Sequence, residues 1–295
     1  MAGCASLEAA EKASTGNGFE AQYQPLCSRC PGWGEIALLP WDEAIFRFPV
    51  ADFRWGNGPP GLTAVDEFNV ALTDFCRISG AVLVSARSAG RDPGSSAFLA
   101  AGGFAPVDFS VLAVRSRIKA KEMPVARFPL RVATAADHET IVRISGSAFE
   151  FGRYHGDARF PRALANQRYV DWIKRALNDK SPANHVFVLG RPGTVVGFMN
   201  VVTRERHADL RLGAVDPENE LGFAGYFLYG ETVRAAHALG ATGVVAKIAA
   251  ANTRVLNICA ALKFQFSHPE TTFHWYPPNI PFDRAAEARN VVHQD

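Results

Sequence analysis

The chain has almost no net charge. Its 31 Lys and Arg stand against 29 Asp and Glu, leaving +2 with the histidines neutral. That balance gives no electrostatic footprint for nucleic acid or for an anionic membrane surface. No apolar run reaches the ~18–20 residues of a bilayer-spanning helix, which excludes one. Cysteine is scarce and odd in number: Cys4, Cys27, Cys30, Cys76 and Cys259. Their scatter argues against a disulfide framework and for a reducing compartment. Cys27-Ser-Arg-Cys30 has no second Cys or His pair beside it to complete a tetrahedral zinc set, so no metal is expected. The first residues are small and acidic rather than basic and then apolar, which is not a secretory-signal pattern. The expected compartment is the cytoplasm.

What is present is apolar material for a large core. Of 295 residues 48% are hydrophobic and 21 are Phe, enough for one large or two fused α/β domains. Residues 1–34, rich in Gly, Ala, Ser and Glu, read as a flexible tail. Ile36–Leu39 reads as a strand, Leu39–Pro49 as an aromatic-rich turn, and Val65–Ser79 as a helix with Phe68, Leu72, Phe75 and Cys76 on one face. Ala81–Val84 and Pro106–Val114 read as strands around a helix at Ser95–Ala101. Pro124, Pro129 and a run of basic residues mark Ser116–Pro129 as a connecting segment. The expected organisation is a first half over 35–122, a linker at 123–129, a second domain over 130–282 and a tail at 283–295.

In the second domain Thr134 and Asp137 signal the start of a helix running to Ser147, and Phe160–Leu177 has helical spacing. His185–Leu189 and Thr194–Val202 read as strands joined at Arg191-Pro192-Gly193. Then come strand Leu210–Val215, helix Gly222–Leu239, strand Val244–Ala249, helix Asn252–Leu262 and a closing strand at Phe273–Tyr276. The order Val82-Leu83-Val84, helix, Ala100-Ala101, Phe104 echoes Val244-Val245-Ala246, helix, Ala260-Ala261, Phe264. Duplication accounts for the echo, with chance among alanine-rich units as the alternative.

The informative stretch is Leu210 to Phe266. A buried strand ends at Val215-Asp216-Pro217, and a glycine-bearing helix start follows at Gly222-Phe223-Ala224-Gly225, where free N–H groups make an anion site. The next strand ends at Ala251-Asn252. Parallel neighbours splayed at their ends leave a slot in which an extended ligand bonds to strand backbone.

Val215–Glu218, the helix start and Ala251–Phe264 together resemble the acyl-CoA-binding core of the GNAT N-acetyltransferase superfamily. Leu39–Asp42 with Phe46–Pro49, and Arg153–Pro161 followed by Tyr169–Ile173, resemble the dTDP-fucosamine acetyltransferase-like proteins, which carry a degenerate GNAT-like half before a complete one. The resemblance implies an α/β mixed-sheet GNAT fold in two tandem halves. It implies acyl transfer from acetyl-CoA, or another acyl-CoA or phosphopantetheine thioester, to a primary amine of a small polar metabolite such as an amino sugar. Pantetheine would lie along Gly213, Ala214 and Val215, and pyrophosphate on Glu220, Leu221, Gly222, Phe223, Ala224 and Gly225. Asn252 would contact the cofactor or fix the splay.

The pattern departs from the family at four positions. Glu220 stands where a Gln or Arg is usual, Phe223 where a Gly is usual, with Gly222 offering the turn in a shifted register. Lys263 replaces the Gly before Phe264. Cys259 takes the place of the tyrosine that protonates the leaving thiolate, and reads either as that acid or as a packed core residue. Asp209 is a base candidate through water, or a solvated strand-end carboxylate. His155 is a second catalytic candidate, or a packing residue. Glu150, Tyr154, Asp157 and Arg159 lie in the loop where those relatives meet substrate. Expected partners are a small-molecule amine and, as alternatives, an acyl carrier protein and a second copy in a homodimer, with neither nucleic acid nor membrane. The alternative function is a GNAT fold with altered or lost acetyl transfer: a carrier-bound donor, thioester hydrolysis or decarboxylation, or a non-catalytic binding module.

Overall fold

The computed structural model describes residues 21–27, 32–219 and 222–278. Two compact units divide the chain and neither is continuous in sequence: one takes in residues through Arg87, Gly94–Ala105 and the segment from His274, the other Ser88–Pro93 and Pro106–Phe273.

In the first unit β1 (Gln24–Pro25), β2 (Gly34–Leu38) and β3 (Val50–Trp55) pair antiparallel, and β3 pairs parallel with β4 (Leu83–Ala89). Helices α1 (Pro40–Phe46), α2 (Val65–Ser79) and α3 (Pro93–Ala101) belong to it or lead into it. The segment Leu39–Pro49, expected as a turn, contains α1. Pro40 opens the helix with its φ already set, and Arg47 closes it in the left-handed region (φ 63°). Helix α2 has the expected bounds and buries Val65, Phe68, Leu72 and Cys76. Phe68 is the hub of an aromatic core, its ring centroid 5.1 Å from Phe53, 5.2 Å from Phe98 and 6.1 Å from both Trp33 and Trp55.

The second unit is built on β5 (Ala105–Arg115), β6 (Leu130–Val132), β7 (Asn184–Arg191), β8 (Thr194–Arg204), β9 (His207–Val215), β10 (Gly243–Ala249) and β11 (Gln265–Trp275), in the order β11-β5-β10-β9-β8-β7-β6. There β9 and β10 pair parallel, whereas β5–β10 and the run β6 to β9 are antiparallel. Helices α4 (His138–Ser147) and α5 (Arg162–Asn178) cover one face, where Ile141, Ile144 and Ile173 meet Val186, Val188, Phe198 and Leu212. Helices α6 (Ala224–Ala238) and α7 (Thr253–Ala261) cover the other, where Leu228, Val233 and Cys259 meet Phe187, Leu189, Met199, Val201 and Leu210. The period-two alternation of β7 explains how one strand feeds both cores. On β9 the alternation is broken. Asn200 pairs with Leu212 and Val201 with Leu210, so Arg211 is an extra, bulged residue and Leu210 and Leu212 enter opposite cores.

Two boundaries differ from the sequence expectation. Strand β5, placed by sequence in the first half, lies almost wholly in the second unit because it pairs with β10 from Ser110 to Arg115. The expected linker is packed rather than free. Ile118, Met123, Ala126 and Phe128 join the α6–α7 core, and Arg234 of α6 donates to the Met123 and Pro124 carbonyls at 2.9 Å.

The internal echo extends to the backbone. Helix α3 ends with Gly103 at φ 82° and α7 with Lys263 at φ 60°. Phe104 N–H donates to Leu99 O and Phe264 N–H to Cys259 O, while Gly103 and Lys263 bond to the Ala100 and Ala260 carbonyls. Both are the paired C-terminal bonds that a left-handed residue makes possible.

Helix α4 begins at a reciprocal cap between Thr134 and Asp137, and Arg131 clamps the buried Asp137 carboxylate with two bonds of 2.7 Å. Arg131 holds that carboxyl well below its ordinary range, outweighing burial. A lowered value means that the stabilisation exists above the unfolded-state pKa near 4 and disappears as pH falls through the folded value. Asp137→Asn is expected to destabilise by about 2 kcal/mol at neutral pH, with the gap to wild type closing under acid. Urea unfolding at a series of pH values checks this, and a gap that stays constant into acid contradicts it.

Candidate functional site

The parallel pair β9–β10 is short. His207, Ala208 and Asp209 face Gly243, Val244 and Val245, and there the recorded pairing stops. Beyond it Leu210–Val215 and Ala246–Ala249 run on without pairing to each other. On its other side β9 stays bound to β8, and Asp216 N–H donates to Val196 O at 2.8 Å. Antiparallel alternation then turns Ala214 and Leu212 towards β8 and leaves the N–H and C=O of Gly213 and Val215 facing the gap. The bulge at Arg211 sits where the strands part, and a bulge bends its strand and sharpens its twist.

The loop closing this gap is pinned from below. Asp216 is fully buried and is held by Arg143 of α4 through two bonds, Nη2 to Oδ2 at 2.6 Å and Nη1 to Oδ1 at 3.2 Å. Glu218 donates its N–H to the same carboxylate at 3.1 Å and pairs its own side chain with Arg143 at 3.0 Å. Glu220 and Leu221 lie outside the described residues. Gly222 stands in open space and does not take the left-handed turn expected of it. Phe223 takes it instead, at φ 67°, with its side chain turned out and the residue 78% exposed. Helix α6 starts at the next residue, so the N–H groups of Ala224, Gly225 and Tyr226 lack intrahelical acceptors and carry the positive end of the dipole. A Cβ on Gly225 would lie 2.9 Å from Ile258 Cδ1 and 3.9 Å from Val215 Cγ2, which seats this helix end against both α7 and the end of β9.

Two expected contacts turn out to be structural. Asn252 caps α7, its Oδ1 accepting the Val255 N–H at 3.1 Å. Of its two expected roles, fixing the splay is the one this geometry suits. Cys259 is 0% exposed within the α6–α7 core, and burial pushes its thiol up to about 12. Such a thiol is poorly matched to protonating a thiolate at neutral pH. Its counterpart in the echo, Leu99, is an equally buried core residue, and the correction is that Cys259 packs.

Asp209 occupies the last paired step of β9. Burial raises its carboxyl, and Arg211 Nε, 3.1 Å away, pulls it back. Its first engagement is therefore with the bulged Arg211. The acceptor-loop candidates separate into two groups. Tyr154 and Asp157 are buried, Tyr154 with its ring 4.7 Å from Phe160 and Asp157 accepting the Arg159 N–H at 3.0 Å. Glu150 and Arg159 are exposed, and Glu150 pairs with Arg162 at 3.0 Å. His155 stacks on Tyr169 with centroids 5.6 Å apart, and its Nε2 meets Asn166 Oδ1 at 2.8 Å. Asn166 Nδ2 donates to Gly146 O, so Oδ1 accepts and Nε2 carries the hydrogen. Tyr169 also donates to Phe151 O at 2.7 Å, where Gly152 (φ 130°) leaves room that a Cβ would fill at 2.5 Å from the hydroxyl. The sequence motif at Arg153–Pro161 and Tyr169–Ile173 is thus a loop and the helix face that clamps it.

Arg143 escaped the sequence reading because it belongs to no local pattern, and its partner lies 73 residues away. Among the described residues no group of three or more His, Cys, Asp or Glu is placed to hold a metal, and no helix is long and apolar enough to cross a membrane.

A mixed sheet whose parallel strands part beside a helix N-terminus, with helices on both faces, gives this chain the fold of the GNAT N-acetyltransferases. A GCN5-related N-acetyltransferase from Sphaerobacter thermophilus is similar over 83% of this chain and 77% of its own, with TM-score 0.59 at 13% identity. A tandem GNAT protein from the clavulanic acid biosynthesis pathway covers 83% and 79%, with TM-score 0.53 at 16% identity. A functionally unknown conserved protein from Staphylococcus epidermidis covers 90% and 99%, with TM-score 0.58 at 11% identity. In sequence, 98 residues are 30% identical to the spore coat polysaccharide biosynthesis protein SpsD of Bacillus subtilis. That stretch is 33% of this chain and spans only about a third (32%) of the relative. No family model matches the chain.

Two outcomes test this architecture. Arg143→Met, which strands a buried carboxylate, is expected to destabilise by about 3 kcal/mol and Asp216→Asn by about 1 kcal/mol, read by urea unfolding. The reverse order contradicts the pin. Cys259→Ala is expected to lower stability by about 1 kcal/mol and to leave unchanged the rate of the acyl transfer proposed below. A rate loss of the ~10²–10⁴-fold typical of a removed general acid would restore it as a proton donor.

Proposed function

We propose that the protein moves an acyl group, acetyl in the simplest case, from a pantetheine thioester of coenzyme A to a primary amine of a small polar metabolite. The observation that carries this reading is the parting of β9 and β10 after Asp209 and Val245. The free backbone groups of Gly213 and Val215 suit the amides of an extended pantetheine arm, as an added strand would use them. The N–H groups of Ala224, Gly225 and Tyr226 suit a pyrophosphate. The residues present fit that group. Phe223 keeps the backbone conformation that a glycine would give and turns its ring away to solvent.

The thioester supplies an activated acyl carbon, and the protein's own part is orientation. A strand N–H at the gap is the natural donor to the oxyanion that forms when nitrogen adds to that carbon. The amine must lose a proton before it attacks. The 98-residue likeness to a polysaccharide biosynthesis protein favours an amino sugar as that amine. A second reading is favoured by Phe223 itself: an exposed ring at the mouth of the gap offers a contact for an acyl carrier protein.

Thermal unfolding with coenzyme A and with free pantetheine separates these readings. Coenzyme A is expected to raise Tm more than pantetheine does, because only it reaches the helix N-terminus. Equal shifts favour a carrier-bound donor, and no shift with either removes acyl transfer from the account. Phe223→Gly is expected to stabilise the free protein by about 1 kcal/mol, relieving a left-handed residue that carries a Cβ, and to tighten coenzyme A without changing pantetheine.

A further inference from the structure

Strand β5 presents polar side chains to the sheet face turned away from α6 and α7. Its register sets Ser110 opposite Ala249 and Leu112 opposite Lys247. Asp108 and Ser110 therefore share a face with Ala249 and Lys247, while Ala113, Ala246 and Ile248 turn into the α6–α7 core. This face borders the open half of β10, one strand spacing (about 4.8 Å) from it.

Two buried polar atoms there have no hydrogen-bond partner among the described residues, and a half-buried carboxylate has no ion pair. Ser110 is 4% exposed and its Oγ has no hydrogen-bond partner. His155 Nδ1 is buried and also without one, its Nε2 being taken by Asn166. Asp108 is half-buried and accepts the Phe109 N–H, and among the described residues it forms no ion pair. The three converge. A Cβ on Gly156, beside His155, would lie 1.7 Å from Val107 O, so the loop rests directly on the start of β5. His155 stacks on Tyr169, which feels the charges of Asp108 and Arg153. Lys247 of β10 faces the same place but is bonded to Glu270 of β11.

We propose that this face is the acceptor side of the transfer site, with Asp108 holding the ammonium of the incoming amine and taking its proton. The proposal rests on the acyl-transfer reading above. One N–H proton passes to the Asp108 carboxylate, giving a carboxylic acid and a neutral amine. The nitrogen lone pair then forms the C–N bond as the C–S bond breaks, and the second N–H proton goes to the departing thiolate. The class of acceptor is a primary amine. Burial raises the Asp108 carboxyl more than Lys247, the Phe109 N–H and Arg153 lower it, which suits a group that must receive a proton. The carboxylate comes from a strand that the sequence order assigns to the first half and the fold places in the second unit.

The test needs no knowledge of the acceptor. Ala249→Cys places a thiol diagonal to Asp108 on the same face. Its modification by cystamine, which carries ammonium groups, is compared with that by neutral bis(2-hydroxyethyl) disulfide. Each rate is normalised to that reagent's rate with N-acetylcysteinamide, and peptide mapping isolates the introduced thiol. Cystamine is expected to be favoured about fivefold, and Asp108→Asn in the same background to bring the ratio to about one. Equal rates, or a preference that survives Asp108→Asn, overturn the proposal. Ala251→Cys, at an exposed position just past the end of β10, is the second reporter should Ala249→Cys fail to fold. Coenzyme A thermal shifts on the same proteins read the transfer reading separately. A shift without a cystamine preference removes the role of Asp108 and leaves acyl transfer standing. A preference without a shift supports the cation site and removes acyl transfer.

Discussion

Backbone groups left unpaired inside a sheet are the constraint on which the site depends. A sheet interior normally satisfies every N–H and C=O, yet β9 and β10 stop pairing after three steps. Several features far apart in sequence keep the gap open. The bulge at Arg211 bends β9 while β8 holds its other edge. Arg143 grips the buried Asp216 at the end of the strand. Gly225 lets the start of α6 settle against Val215 and Ile258. Each bond is ordinary, and together they fix a slot whose walls are main chain.

The same physics explains how the site tolerates an unusual sequence. Phe223 and Lys263 occupy positions where the sequence resemblance leads one to expect glycine, and both keep the left-handed backbone that glycine would give. A left-handed residue with a Cβ costs roughly 1–2 kcal/mol, which tertiary packing has to cover. At Lys263 the return is visible in the paired C-terminal bonds of α7, matched at Gly103 of α3. The duplicated strand–helix–strand thus preserves hydrogen-bond geometry where it has lost residue identity. Strand β5 carries the relation further, since its order in the chain assigns it to one half and its hydrogen bonds to the other unit.

Much of the fold was legible in the sequence because hydrophobic period and local punctuation are local signals. Helix α2 ended where Gly80 allows a left-handed residue, and the strands flanking the gap ended close to Val215 and Ala249. Helix α1 was missed because seven residues opened by a proline look like a turn. The segment Ser116–Pro129 was taken for a linker because its prolines and charges obscure Ile118, Met123 and Phe128, which are buried or half-buried against α6. The candidate site was legible as a place more than as a set of roles. Gly213, Val215, Ala224 and Gly225 lie at the parting of the strands and the helix start beside it, whereas Asn252 caps a helix, Cys259 packs, and Tyr154 and Asp157 are buried. Side-chain roles depend on partners across the sheet, as between Arg143 and Asp216, and no local pattern encodes a separation of 73 residues.

Amide hydrogen exchange resolved to single residues tests the central claim most directly. In the free protein the N–H groups of Gly213 and Val215 should exchange much faster than those of Leu212 and Ala214, which bond to β8. Saturating acetyl-CoA should slow Gly213 and Val215 by about tenfold or more and leave their two neighbours nearly unchanged. Protection of all four before ligand is added, or no change at Gly213 and Val215 when it is, would contradict the account.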